Sequence, residues 1–239
     1  MASQPIYQFY AELKDFEPKI WRQFQVPGNI TLSRLAYILM TIYEMQASHL
    51  FRITVPIRDN VALTAKSEIY PTFPDEIWHF EVESEDFSLG EFEEKIFNAA
   101  EYKMKSVLRG FKGEKLVLEY DFGDSWEVEV TLENIIEDKK LPGRELPRVL
   151  AGKGYGIVED CGGTGGLKML VEAFQKKAGA DYEEYRDWLG RDDFDLTAFD
   201  VDDINLRLKK VPRIYADIYE YGYAPSKRSI DFLNREYLK

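Results

Sequence analysis

The chain has a single cysteine, Cys161, and only two histidines, His49 and His79. One cysteine excludes an internal disulfide and suits a reducing compartment. Three soft donors in all exclude a four-ligand structural zinc site made without carboxylates. No apolar run reaches the ~20 residues that a membrane-spanning helix needs. Near the N-terminus, Gln8 and Glu12 interrupt the apolar residues and Lys14 follows, so no secretory signal is read there. The expected location is the cytoplasm, with no membrane partner. Basic residues are in deficit: 31 Lys and Arg against 43 Asp and Glu leave a net charge of −12. No cluster of Lys and Arg interleaved with aromatics offsets it, and such a surface repels duplex DNA. The short stretches Arg207-Leu208-Lys209-Lys210 and Lys227-Arg228 read as helix-end charges that complement the macrodipole. No internal repeat or low-complexity linker is present.

What the chain does have is core material. Its 239 residues are 45% hydrophobic and 14% aromatic, enough to fold without disulfides or metals. Tyr7, Phe9, Ala11 and Leu13 alternate with mostly polar neighbours, the pattern of a strand with one buried face. A second strand is read at 21–26, then a turn at Pro27-Gly28-Asn29. Thr31 is placed to cap a helix running from Leu32 to about Met45. Strand character returns over 49–55. Ser88 and Glu91 form a capping-box signature, so 89–109 reads as a helix, or as a strand followed by one or two helical turns. Residues 115–120 and 126–132 read as a hairpin around Phe122-Gly123-Asp124-Ser125. From 141 to 166 the chain reads as glycine-rich and irregular. A helix follows Thr164, with Gly179 in the position of a C′ glycine. Further helices are expected at 182–189 (capped by Asp181 and closed by Gly190), 201–210 and 229–238. Strands first and helices last define an α+β protein, mainly an antiparallel sheet with packed helices. The expected organisation is a core over 1–178 and a helical extension over 179–239 packed on it, one domain overall.

Four segments go beyond fold class. They are Lys19-Ile20-Trp21-Arg22 with Val26-Pro27 and His49-Leu50-Phe51; Tyr120-Asp121-Phe122-Gly123-Asp124-Ser125-Trp126-Glu127; Gly156-Ile157-Val158-Glu159-Asp160-Cys161-Gly162-Gly163; and Trp188-Leu189-Gly190-Arg191 through Phe199-Asp200 to Ile204-Asn205. In this order and spacing they resemble the plasmid pRiA4b ORF-3-like family. The resemblance implies an α+β fold and an association with mobile elements, and it supplies no catalytic residue set to carry over. The chain departs from the family pattern where many members have a histidine after the motif tryptophan and cysteines and prolines before the Glu-Asp-Cys-Gly-Gly segment. Here Val128, Val149, Gly156 and Ile157-Val158 stand at those positions, so a metal cluster built from those groups is largely dismantled.

The candidate residues each have a plain and a sharp reading. Asp121 and Asp124 cap the amides of their own turn, or form a magnesium-binding or acid–base pair. Trp126 is a core residue or a pocket wall. Glu159, Asp160, Gly162 and Gly163 lie in a loop leading into a helix, but the two acids disfavour phosphate there. Cys161 packs as a small hydrophobe, or acts as a nucleophile with His49 as its base. His49, Cys161 and Asp160 are the weak candidates for zinc, and no resident cofactor is expected. The acidic, aromatic stretch 75–94, with Trp78, Glu83, Glu85 and Asp86, is a solvated edge or an acidic protein-binding face.

The leading expectation is an acidic interaction module that engages a protein partner with a basic face, in the manner of a nucleic-acid mimic. The alternative is a metal- or cysteine-dependent hydrolase centred on the two motif loops. A gel shift against random duplex DNA at physiological salt is expected to show no complex, because phosphate neutralisation and counterion release drive such binding. Tight duplex binding would overturn this reading of the charge.

Overall fold

A computed structural model describes residues 4–62, 76–82, 96–138 and 140–235. Alternation of apolar and polar residues builds most of one sheet. Strand β1 (Ile6–Leu13) pairs antiparallel with β2 (Trp21–Pro27) on one side and β7 (Trp126–Ile136) on the other. Strands β3 (Phe51–Pro56), β4 (Ile77–Glu81), β5 (Ile96–Asn98), β6 (Lys115–Tyr120) and β8 (Arg148–Lys153) complete the order β5-β4-β3-β6-β7-β1-β2-β8. Among the described residues only the β4–β5 pair is parallel. Among the described residues no helix is long and apolar enough to cross a membrane.

Helix α1 (Leu32–Ile42) starts at Thr31, whose hydroxyl accepts from the Arg34 amide. Every residue of α1 except Arg34 is buried, so this helix must be covered on all sides. Tyr37 shows how: its ring meets Phe51 of the sheet, and also Tyr215 and Tyr219 of α7 (Val211–Tyr219). The sheet lies on one side of α1, and α6 (Val201–Leu208) and α7 lie on the other. The short helices α2 (Ile57–Ala62) and α3 (Met104–Val107) lie between the central strands, and α4 (Gly163–Lys176), α5 (Ala180–Leu189) and α8 (Lys227–Leu233) follow the sheet in sequence.

Two buried polar clusters join these layers. Arg22 is fully buried. Its guanidinium donates to five carbonyls, those of Ile42 (2.9 Å), Trp21 (2.9 Å), Lys153 (2.8 Å), Gly154 (2.8 Å) and Tyr155 (2.8 Å). It also lies over the rings of Tyr43 and Phe199. In the second cluster Glu44 accepts from the buried Arg207 and from Arg235 at 2.8 Å, and Arg235 reaches Asp203 at 2.9 Å. At the outer edge of the sheet, the Asn205 side chain accepts from the Val149 amide (2.8 Å) and donates to the Val149 carbonyl (3.0 Å). A side chain from α6 thus occupies backbone groups of β8 where a neighbouring strand would otherwise bind.

Several expectations need correction. Helix α1 ends at Ile42, because Glu44 takes a left-handed φ of 65°. In the described part of 89–109 the chain forms β5 and then one turn of α3, which is the strand-then-turn alternative. The 141–166 region is not uniformly irregular: it holds β8, whose pairing with β2 slips at a bulge. Gly179 does not close α4. Lys177, in the left-handed region, does so, and Gly179 precedes α5, which begins at Ala180 and places Asp181 inside its first turn. Helix α7 has no counterpart in the sequence reading, and α8 starts two residues earlier than the expected 229.

Replacing Arg22 with methionine removes this donor from five carbonyls, two in buried and three in part-buried contacts. Each unsatisfied group costs ~1–3 kcal/mol, so Arg22→Met should lower stability by about 3 kcal/mol or more, and Arg22→Lys by less, in urea denaturation. Wild-type stability in Arg22→Met would refute this account of the cluster.

Candidate metal centre

Three segments far apart in sequence meet beside the β6–β7 turn. The first is the chain after α1. Ala47, like Glu44, is left-handed, and this loop is tied down at several points. Tyr215 donates to the Met45 carbonyl and Tyr219 to the His49 carbonyl. Glu159 accepts from the Gln46 amide (2.5 Å), the Ser48 hydroxyl and the Tyr120 hydroxyl (2.5 Å). His49 is held edge-on to the Tyr120 ring at 5.8 Å.

The second segment is the turn itself. Asp121 is left-handed at φ 55°, and its amide donates to the Leu50 carbonyl at 3.0 Å. One carboxylate oxygen, Oδ1, accepts from the amides of Gly123 (3.0 Å) and Asp124 (3.4 Å). The other, Oδ2, lies 3.5 Å from His49 Nε2. The third segment contributes Asp160, left-handed at φ 59°, with Oδ1 3.2 Å from the same nitrogen. The donor atoms of His49, Asp121 and Asp160 all lie within 4.8 Å of one another. Their side chains are 28%, 11% and 68% exposed, so the cluster has one buried wall and one open one. A cavity of ≈180 Å³, lined by Glu119, Tyr120, Asp121, Phe122, Ser125 and Glu127, opens next to Asp121.

The two motif loops do pack together. Asp124 Oδ2 accepts from the Gly162 amide at 3.1 Å. At Gly163, φ is 68° and a Cβ would lie 2.4 Å from the Asp124 carbonyl oxygen, so this contact needs glycine. Asp121 and Asp124 therefore do not work as a pair: Asp121 faces His49 while Asp124 holds the start of α4. Cys161 stays out of the cluster, its thiol donating to the Gly163 carbonyl at 3.6 Å. Burial, reinforced by the charge of Asp124, pushes the thiol up to about 12. A raised thiol of this kind is a poor nucleophile at neutral pH.

Trp126 is fully buried opposite Tyr120 in the β6–β7 ladder and forms core, not a pocket wall. Trp78 is half-buried against Phe80 and Phe97, and its indole N–H donates to Glu76 at 2.8 Å. Glu83, Glu85 and Asp86 lie outside the described residues. The sequence reading named His49, Asp121 and Asp160 singly, but it grouped Asp121 with Asp124 and Cys161 with His49 and Asp160; it named Glu159 and missed the other residues that position the cluster. Of these, Tyr120 and Ser48 lie in or beside the motif segments, whereas Tyr219 and Tyr215 carry no local signal.

A mostly antiparallel α+β sheet with helices stacked on it, and a His–Asp–Asp cluster between two tight loops, defines the class. The chain belongs to the plasmid pRiA4b ORF-3-like protein family, which it matches over residues 5–203. It is 25% identical over 193 residues to the uncharacterized protein y4hQ of Sinorhizobium fredii (strain NBRC 101917 / NGR234), covering 81% of this chain and 85% of that one. The crystal structure of MM3350 from Methanosarcina mazei Go1, a protein of unknown function, is similar at a TM-score of 0.66 and 26% identity, covering 84% of this chain and 97% of that one.

A half-buried thiol raised in this way should resist alkylation. Labelling of Cys161 by iodoacetamide in the folded protein should be slow at pH 7.5, and should rise about tenfold per pH unit toward the raised value, because only the thiolate reacts. The urea-unfolded chain should react as an ordinary thiol. Rapid labelling of the folded protein at neutral pH would contradict the burial described.

Proposed function

We propose that this protein is a divalent-cation-dependent hydrolase whose metal is held by His49 Nε2, Asp121 Oδ2 and Asp160 Oδ1. The observation that carries the proposal is the convergence of these three groups from separate motif segments. Ligand atoms ~2.1 Å from a common ion lie ~3–4 Å apart, and the separations of 3.2 and 3.5 Å from His49 Nε2 fall in that range. One imidazole and two carboxylates suit zinc or manganese better than calcium. His49, Asp121 and Asp160 would hold the cation and leave positions open for water and substrate, and the ion would supply Lewis acidity and water activation there. The cavity beside Asp121 is where the group under attack would sit. The raised Cys161 thiol speaks against the cysteine-dependent form of this reading.

A second reading, the acidic module for a protein partner with a basic face, is favoured by the net charge of −12. Its carriers would be acids of the 75–94 segment, most of which lie outside the described residues, and it needs no metal.

Metal ligation uses unprotonated imidazole and carboxylate groups, so affinity should fall as the solution is acidified. Calorimetric titration with Zn²⁺ and Mn²⁺ should show one ion per chain. His49→Ala and Asp160→Asn should each weaken binding by more than the ~10–100-fold typical of losing an outer-shell partner. Hydrolysis of a generic ester or phosphodiester panel should follow metal occupancy. Equal metal binding by His49→Ala would remove the centre, and full occupancy without turnover on the panel would favour the interaction module.

A further inference from the structure

A groove of ≈500 Å³ lies between the chain leading into β8 and the end of α6, lined by Arg144, Glu145, Pro147, Arg148, Asn205 and Lys209. It shares no residue with the His49–Asp121–Asp160 cluster. Three cations face one carboxylate here, on a chain whose overall charge is −12. Arg144 and Arg148 are four residues apart, and the fold brings Lys209 to them from a distant segment. Arg148 is held from behind: its Nε donates to Gln25 Oε1 at 3.0 Å, and its Nη1 is only 3.9 Å from Glu145. The two hydrogen bonds of Asn205 to Val149 fix α6 against β8, and with it the position of Lys209 at the end of that helix. The basic stretch around Lys209 divides its labour. Arg207 is buried on Glu44, and Lys210 lies over the Phe232 ring at 4.7 Å. Among the described residues neither Arg144 nor Lys209 forms an ion pair. Pro147 and the aliphatic stems of the basic side chains give the groove an apolar wall.

We propose that this groove binds a small phosphate-bearing anion with a charge of about −2 or more, such as the pyrophosphate group of a nucleoside diphosphate. Arginine forks match phosphate oxygens in pairs, and lysine adds a point charge. The concave wall limits the ligand to small-molecule size, and the surrounding negative field disfavours a long polyanion. Glu145 is the one unfavourable neighbour for the anion, which gives the proposal a distinctive signature: its removal should tighten binding. The inference stands apart from the metal centre and is tested with chelator present, so that no cation contributes.

The experiment titrates pyrophosphate, ADP and inorganic phosphate into the full chain at low and physiological salt. Wild type should bind pyrophosphate and ADP saturably, with affinity falling as salt rises. ADP binding tighter than pyrophosphate would show that the Pro147 wall contacts the nucleoside, and equal binding would show that the phosphates alone are read. The double variant Arg144→Gln/Lys209→Met alters two exposed side chains and should keep the wild-type melting temperature while losing tenfold or more in affinity. Glu145→Gln should gain severalfold. Unsaturable titrations for all three anions, or equal affinity in the folded double variant, would overturn the proposal.

Discussion

The arrangement depends on a buried guanidinium. Arg22 has no water around it, and carbonyl oxygens take water's place. They come from the end of α1, from β2 and from the exit of β8. Removing a charge from water is tolerated only where such partners are complete, so the three chain segments must meet wherever Arg22 is placed. Both loops that carry the cluster depart from this junction. One leaves α1 through Tyr43 and Glu44 to reach His49, and the other leaves β8 through Gly154 and Tyr155 to reach Asp160. They run together at first: the Ile157 amide donates to the Tyr43 carbonyl at 3.0 Å, and a Cβ on Gly156 would fall 2.6 Å from that same oxygen. They meet again where Glu159 receives Gln46 and Ser48. The geometry of the cluster is therefore set at its root by a residue that does not touch it.

Positions where this chain departs from the family pattern have a packing explanation. Val128, Val149 and Ile157 are all buried in the hydrophobic core, and Gly156 is pressed against backbone. Histidine or cysteine ligands at these places would point into apolar surroundings or meet Tyr43. The His–Asp–Asp cluster uses none of those positions.

Much of the sheet was legible because burial imposes a period of two on β1, β6 and β7, and the Thr31 cap marked the start of α1 by its own chemistry. Strand β8 was hidden because it is a short edge strand containing a bulge, a glycine and an exposed Leu150, which breaks the alternation. Helix α7 follows Lys210 without a gap and carries Pro212 in its first turn, so its apolar face merged with the preceding helix. The ligands were named by their motifs, but their grouping was not. It relies on left-handed backbone at Asp121 and Asp160, residues that do not announce that conformation as glycine would. The division of Asp121 from Asp124, and of Asp160 from Cys161, follows from those two angles. The basic groove was invisible for a different reason: Lys209 joins Arg144 and Arg148 only through the docking of α6 on β8.

That docking has a consequence for how copies of the chain can associate. An unpaired outer strand is a template on which another chain can add, and continued addition leads to aggregates. Here the amide of Asn205 already occupies the backbone groups of Val149 as a strand would. The mimicry ends after one residue, so it offers an incoming strand no register to extend. The bulge beside it bends the edge away from a flat template. A single side chain from a helix thus terminates the sheet and withholds this edge from polymerisation.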